Sequence, residues 1–169
     1  MSLPTRNPNE KAEPPSFTPH YMFFYGSLMD PDVLRTIANL PSPPTTKKGS
    51  IKGFTMKMWS VYPTLIPTTN SNNTEEVPTI PGVLWKVETE EQFQRLAAYE
   101  TSAYTSCACA VVLEETGETV TDCRTFCWAG DVESSELRDG RFDLEWYQRH
   151  FKPAIFKRNS EVEEYIYEF

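Results

Sequence analysis

Several things are scarce in this 169-residue chain, and each scarcity removes a class of function. It has only two histidines, His20 and His150. His20 borders a proline-rich tail and His150 lies among charged residues, so neither offers the base of a nucleophilic triad. Neither common glycine-rich phosphate loop is present. No apolar run approaches the roughly 18 residues needed to cross a membrane as a helix. The start, MSLPTRNPNEKAEPPSF, lacks an apolar stretch behind a basic end, so no secretory leader is read and a cytosolic location is expected. There is no internal repeat. Positive charge is also short: the formal net charge is -8 with pI ≈ 4.8. Such a surface repels nucleic acid and anionic membranes, leaving a small molecule or a protein as partner.

The charge is uneven. Residues 1–84 carry a net +1 and residues 85–169 a net -9. This reads as a solvated acidic face on the second half, or as a neutral first half able to host an anion. Apolar residues make up 39% of the chain, enough for one globular core. Five of the 14 prolines fall before residue 20, so residues 1–19 are expected to be a disordered tail. A single domain is expected over 20–169.

The run Tyr21-Met22-Phe23-Phe24-Tyr25 predicts a buried strand, ended by Gly26-Ser27. Asp30 caps a helix with Pro31 at its first position, carrying Val33, Leu34, Ile37 and Ala38. Residues 50–61 alternate loosely and predict one or two strands. The polar stretch 67–81 predicts a long loop. Val83–Val87 predicts a strand, and Thr89-Glu90-Glu91-Gln92 a capping box that opens a helix ending at Tyr99-Glu100. Residues 104–113 and 119–128 predict a hairpin around Gly117. Helical patterns recur at 133–138 and 142–151, with Pro153 limiting the second, and 162–169 reads as a last strand or docked extension. The order implies an α+β fold with a mixed or mostly antiparallel sheet.

Cys107, Cys109, Cys123 and Cys127 sit at even spacings on predicted strands. The expectation is reduced thiols packed in the sheet rather than a zinc site or a disulfide. Among 24 acidic residues only Glu100 stands in an apolar, aromatic setting, in Leu96-Ala97-Ala98-Tyr99-Glu100. Lost hydration there raises a carboxyl pKa toward the range of a general base. Gly26, directly after a strand, permits close backbone approach and leaves amide N–H groups able to face a carboxylate or oxyanion.

These signals occur in a fixed order. Phe23-Phe24-Tyr25-Gly26-Ser27-Leu28 resembles the signature loop of the gamma-glutamylcyclotransferase-like family, which includes the AIG2-like proteins. Gly53 and Tyr62-Pro63-Thr64-Leu65-Ile66-Pro67 are similar to its next segment, and Pro81-Gly82-Val83-Leu84-Trp85-Lys86-Val87 to its following strand. Leu96–Glu100 with Tyr104 resembles the helix bearing its catalytic glutamate and a later tyrosine. The likeness spans residues 21–128. Two positions depart from it: Thr101 where a glycine is frequent, and Thr105-Ser106 where an arginine is frequent. The resemblance implies a small mixed barrel-like sheet with flanking helices and a cavity at one end. It implies an intramolecular acyl transfer that closes a gamma-glutamyl group to 5-oxoproline and frees an amine, with no metal or cofactor. Glu100 is then the acid/base, and Tyr25, Gly26, Ser27, Leu28 and Tyr104 bind substrate, Ser27 through its backbone. The alternatives are a diverged member running another cyclisation, elimination or acyl transfer on Glu100 in specialised metabolism, and a non-catalytic ligand-binding or interaction module.

Overall fold

A computed structural model describes residues 16–68 and 78–152. Five strands close a barrel in the order β1 (His20–Phe24), β5 (Ile80–Val87), β2 (Lys47–Ile51), β6 (Tyr104–Leu113) and β7 (Thr119–Trp128). All neighbours are antiparallel except the closing pair, β1 with β7, which is parallel. A second sheet has the order β4 (Tyr62–Pro67), β3 (Phe54–Trp59) and β8 (Leu137–Asp139). Among the described residues three α-helices flank the strands: α1 (Pro31–Ala38), α2 (Glu90–Glu100) and α3 (Leu144–His150). The α+β expectation and the small mixed barrel with flanking helices both hold.

The aromatic first strand explains why the core has two compartments. Side chains alternate across a strand. Phe23 and Tyr25 therefore join Ile51, Leu65, Leu84, Val111, Leu113 and Cys123 in a core built from strands alone. Met22 and Phe24 face the other way, with Val83, Trp85 and Val87, and meet Val33, Leu34, Leu96 and Tyr147 of the helices. Gly82 lets the layers close: a Cβ there would overlap the Phe24 carbonyl and the Phe23 ring.

The helix starts follow the sequence signals. The Asp30 carboxylate accepts from the amides of Asp32 at 2.8 Å and Val33 at 3.2 Å, with Pro31 next in line. Thr89 and Gln92 form the complete reciprocal capping box. Each such cap is worth about 1 kcal/mol. Phe17, the tail residue nearest the domain, packs against His20 with ring centres 5.5 Å apart. Residues 1–15 of the expected tail, 69–77 of the expected loop and the 162–169 extension lie outside the described residues.

Three expectations are corrected. Residues 133–138 do not form a helix; turns occupy them and Leu137 enters β8, where Leu137, Arg138 and Asp139 pair with Trp59, Met58 and Lys57. The Lys57–Asp139 ion pair reinforces that edge. Tyr62–Pro67, which carried no strand prediction, is β4, joined to β3 through Ser60 at φ 57°. Lastly, Cys107 and Cys127 are disulfide-bonded, whereas Cys109 and Cys123 are free. The β6–β7 register causes this, because Cys107 faces Thr125 and Cys127 is its diagonal neighbour, Cα to Cα 6.4 Å. That separation is within a bridge's reach.

Candidate active site

A cavity of about 650 Å³ opens beyond the end of β1. All six residues singled out from the sequence line it: Tyr25, Gly26, Ser27, Leu28, Glu100 and Tyr104. They arrive from three places: the turn after β1, the last residue of α2, and the first residue of β6. Phe23, Phe24, Trp59, Tyr62, Pro63, Tyr99, Thr101, Phe126, Tyr147 and Phe151 complete the wall. A second cavity of about 640 Å³ shares Tyr25 but none of the other five.

Glu100 is largely withdrawn from water, and burial pushes its pKa from the ordinary 4.5 to about 7. Among the described residues no hydrogen bond or ion pair reaches its carboxylate to oppose that shift. Its place at a helix C-terminus, the negative end of the helix dipole, works in the same direction. The Glu100 charge in turn raises the Tyr25, Tyr99 and Tyr104 phenols, after the larger effect of burial on each.

The phenols are fixed by other bonds. Tyr25 donates to the Phe126 carbonyl at 2.5 Å, and Tyr104 donates to the Pro63 carbonyl at 2.8 Å. The Thr64 hydroxyl lies close enough to both phenols to offset part of their shift. Its oxygen is nevertheless buried without a hydrogen bond of full geometry, so the carbonyl bonds are the ones that hold the two rings. With their hydrogens committed to backbone, both phenols present oxygen lone pairs and ring faces to the cavity.

The turn after β1 is a single 3-10 turn over Ser27–Met29. The carbonyls of Gly26 and Ser27 accept from Met29 and Asp30. Among the described residues, no turn or loop hydrogen bond uses the amides of Gly26, Ser27 or Leu28. The first amides of any helical turn lack intrahelical acceptors, so these donors remain available beside the cavity. Pro63 lies against this turn: a Cβ on Gly26 would stand 3.1 Å from its Cγ. Glycine therefore serves close approach here, as the sequence implied.

The Ser27 hydroxyl sits 2.7 Å from the Tyr99 hydroxyl, itself 3.5 Å from that of Tyr147. Neither histidine lines the cavity: His20 bonds the Thr18 carbonyl and His150 the Trp146 carbonyl. No cluster of metal-ligating side chains occurs among the described residues, and no helix there is long and apolar enough to cross a membrane.

Asp30 secures the turn from behind. It is 1% exposed, and its second oxygen accepts from Gln148 at 2.7 Å and Lys152 at 2.9 Å. Burial alone would raise its pKa, but Lys152, Gln148 and the two capping amides outweigh it and hold the carboxyl below its ordinary value. The clasp ties α3 to the turn and so brings Tyr147 and Phe151 to the cavity.

Sequence reasoning missed Trp59, Tyr62, Tyr99 and Tyr147. Tyr99 had a visible signal, since it adjoins Glu100 in the same helix turn. Trp59 and Tyr62 depend on a hairpin that the loose alternation of residues 50–61 did not resolve. Tyr147 is buried beside the half-exposed Trp146, and no local pattern distinguishes the two.

Comparison with known proteins agrees with this architecture. The family model for gamma-glutamyl cyclotransferase, AIG2-like, matches residues 22–149. AIG2-like protein A of Arabidopsis thaliana is 25% identical over 146 residues, covering 84% of this chain and 82% of that protein. Two Arabidopsis thaliana proteins of known solution structure share the fold. One superposes with a TM-score of 0.57 at 22% identity, covering 89% of this chain and 94% of its own. The other gives 0.59 at 16%, covering 91% and 87%. The match of the family model across most of the chain, together with this fold, places the protein in the AIG2-like gamma-glutamyl cyclotransferase family.

Proposed function

We propose that the protein converts a gamma-glutamyl amine or peptide to 5-oxoproline and a free amine, with Glu100 as acid and base. One observation carries the reading: a carboxyl with pKa near 7 lines the same cavity as a turn with unused amides. The substrate's α-amine attacks its own γ-carbonyl. A C–N bond forms within the five-membered ring, and the original amide C–N bond breaks. The proton lost by the attacking nitrogen goes to Glu100 and then to the departing nitrogen, so nothing beyond the substrate is consumed. Because the attack is intramolecular, holding a folded conformer is itself a large part of the acceleration.

The pKa supports this proton route. An α-amine titrates near 8 and an ordinary glutamate near 4.5, a mismatch of roughly 5 kcal/mol. With Glu100 near 7 the mismatch shrinks to about 1.4 kcal/mol. The amides of Gly26, Ser27 and Leu28 hold the glutamyl carboxylate or the developing oxyanion. Tyr25 and Tyr104, pinned by backbone carbonyls, shape the pocket around the folded substrate. Ser27 acts through its backbone, because its hydroxyl is paired with Tyr99 and no base.

The test is 5-oxoproline release from a panel of gamma-glutamyl amides and peptides. Wild type should release it and Glu100→Gln should lose about 10²- to 10⁴-fold, the usual contribution of a positioned acid/base. Equal release by both proteins would remove Glu100 from the mechanism. A second reading, another cyclisation, elimination or acyl transfer on Glu100, is favoured by Thr101, which lines the cavity. It predicts no 5-oxoproline from the whole panel.

A further inference from the structure

We propose that Trp59, Tyr62 and Tyr104 form an aromatic subsite for the departing amine, and that the preferred substrates are gamma-glutamyl arylalkylamines with no carboxylate on the leaving side. The inference rests on the reading of Glu100 above and specifies its substrate.

The β3–β4 turn carries two of these rings to the mouth of the cavity. The Trp59 ring centre lies 6.3 Å from that of Tyr62 and 6.4 Å from that of Tyr104, the latter in an edge-on arrangement. Trp128, outside the cavity lining, supports Trp59 from behind at 5.4 Å. Its own indole is fixed by donating to the Asp131 carbonyl at 2.9 Å. The wall is also keyed to the proposed glutamyl end. Tyr104 bonds the Pro63 carbonyl, and Pro63 packs on Gly26. A glutamyl group on the Gly26–Leu28 amides therefore directs its γ-substituent past Glu100 toward these rings. Tyr62 is 48% exposed, so a long substituent can extend toward solvent.

The charges select against an amino-acid leaving group. Once deprotonated, Glu100 repels a second carboxylate. Among the described residues lining the cavity there is no lysine, arginine or histidine to hold one. The amine leaves neutral with the one proton from Glu100 and takes a second from water to become a cation, which aromatic faces attract. The rings already touch one another at angles, so an incoming aryl group lies on the wall they form.

The experiment compares kcat/KM for 5-oxoproline release from gamma-glutamyl-phenethylamide, gamma-glutamyl-ethylamide and gamma-glutamyl-phenylalanine. The first should exceed the second about tenfold, a modest yield for burying one ring. It should exceed the third by at least as much, although both carry the same ring. In Trp59→Ala the phenethylamide-to-ethylamide ratio should fall toward one. Equal rates with phenethylamide and phenylalanine, or with phenethylamide and ethylamide, would overturn the subsite while leaving the cyclotransferase reading intact. These wild-type ratios decide the matter even if the variant does not fold. Absence of 5-oxoproline from all three would overturn both.

Discussion

The Ser27 hydroxyl and the Tyr99 hydroxyl lie 2.7 Å apart, although 72 positions separate them in sequence. Burial drives the Tyr99 phenol well above its ordinary pKa, so it stays protonated at any physiological pH and cannot act as a base toward Ser27. Ser27→Ala should therefore keep 5-oxoproline release within about tenfold of wild type while losing about 1 kcal/mol of stability with the hydrogen bond. Steady-state rates and urea unfolding of one preparation check both. A loss as deep as that of Glu100→Gln would instead make Ser27 a participant in the chemistry.

Glu100 should give the protein opposite pH trends in activity and stability. A base must be deprotonated, so turnover should rise through a midpoint near pH 7. The folded pKa, about 7, lies above the ordinary 4.5. Its contribution to stability is therefore complete below about pH 4.5 and is lost as pH rises through 7. The difference corresponds to roughly 3 kcal/mol. Glu100→Gln should lose about 10²- to 10⁴-fold in activity yet be more heat-stable than wild type at pH 8. Thermal unfolding of both proteins across pH 5–8 measures this, and parallel curves would show that the carboxyl is not desolvated.

Thr101, which closes α2 directly after Glu100, has φ 69° and ψ 177°. A β-branched residue rarely adopts that conformation, at a cost of about 1–3 kcal/mol, while glycine takes it freely. Thr101→Gly should raise stability by about 1 kcal/mol after its greater unfolded-state freedom and the lost Thr101–Ala103 bond are counted. Denaturant midpoints test this. An unchanged or lowered midpoint would show that the side chain contributes more than its backbone strain removes.

Asp30→Ala should cost about 3 kcal/mol, since it deletes the α1 cap and removes the buried acceptor of Gln148, while Lys152 keeps its bond to Asp32 at 2.9 Å. The carboxyl titrates below its ordinary value, so its contribution is present above about pH 4 and lost as pH falls further. Asp30→Asn should keep part of the cap and fall in between. Chemical denaturation at pH 7 and pH 3 distinguishes them, with the gap between wild type and Asp30→Ala narrowing at the lower pH.

What could be read in advance depended on how local the cause was. Asp30-Pro31 and Thr89–Gln92 encode their helix starts within four residues, and both were legible. Glu100 was legible because its apolar neighbours lie in its own helix. The second sheet was not, since β3 finds its partners only through Ser60 at positive φ and through Leu137–Asp139, some 80 residues away. Residues 133–138 have a helix-like pattern, yet pairing with Trp59 overrides it. The Cys107–Cys127 bridge followed from a diagonal across two strands, and even spacing within each strand could not reveal it.

The clasp from Asp30 to Gln148 and Lys152 has a temporal consequence. The barrel strands and Glu100 leave the ribosome well before α3 does, so a nascent chain can assemble the acid and its turn while one side of the hollow still lies open to water. Tyr147 and Phe151 close that side only after the segment through Lys152 has emerged and reached Asp30. Until then the glutamate meets water on that side, and the hollow is finished by the last described helix to be made.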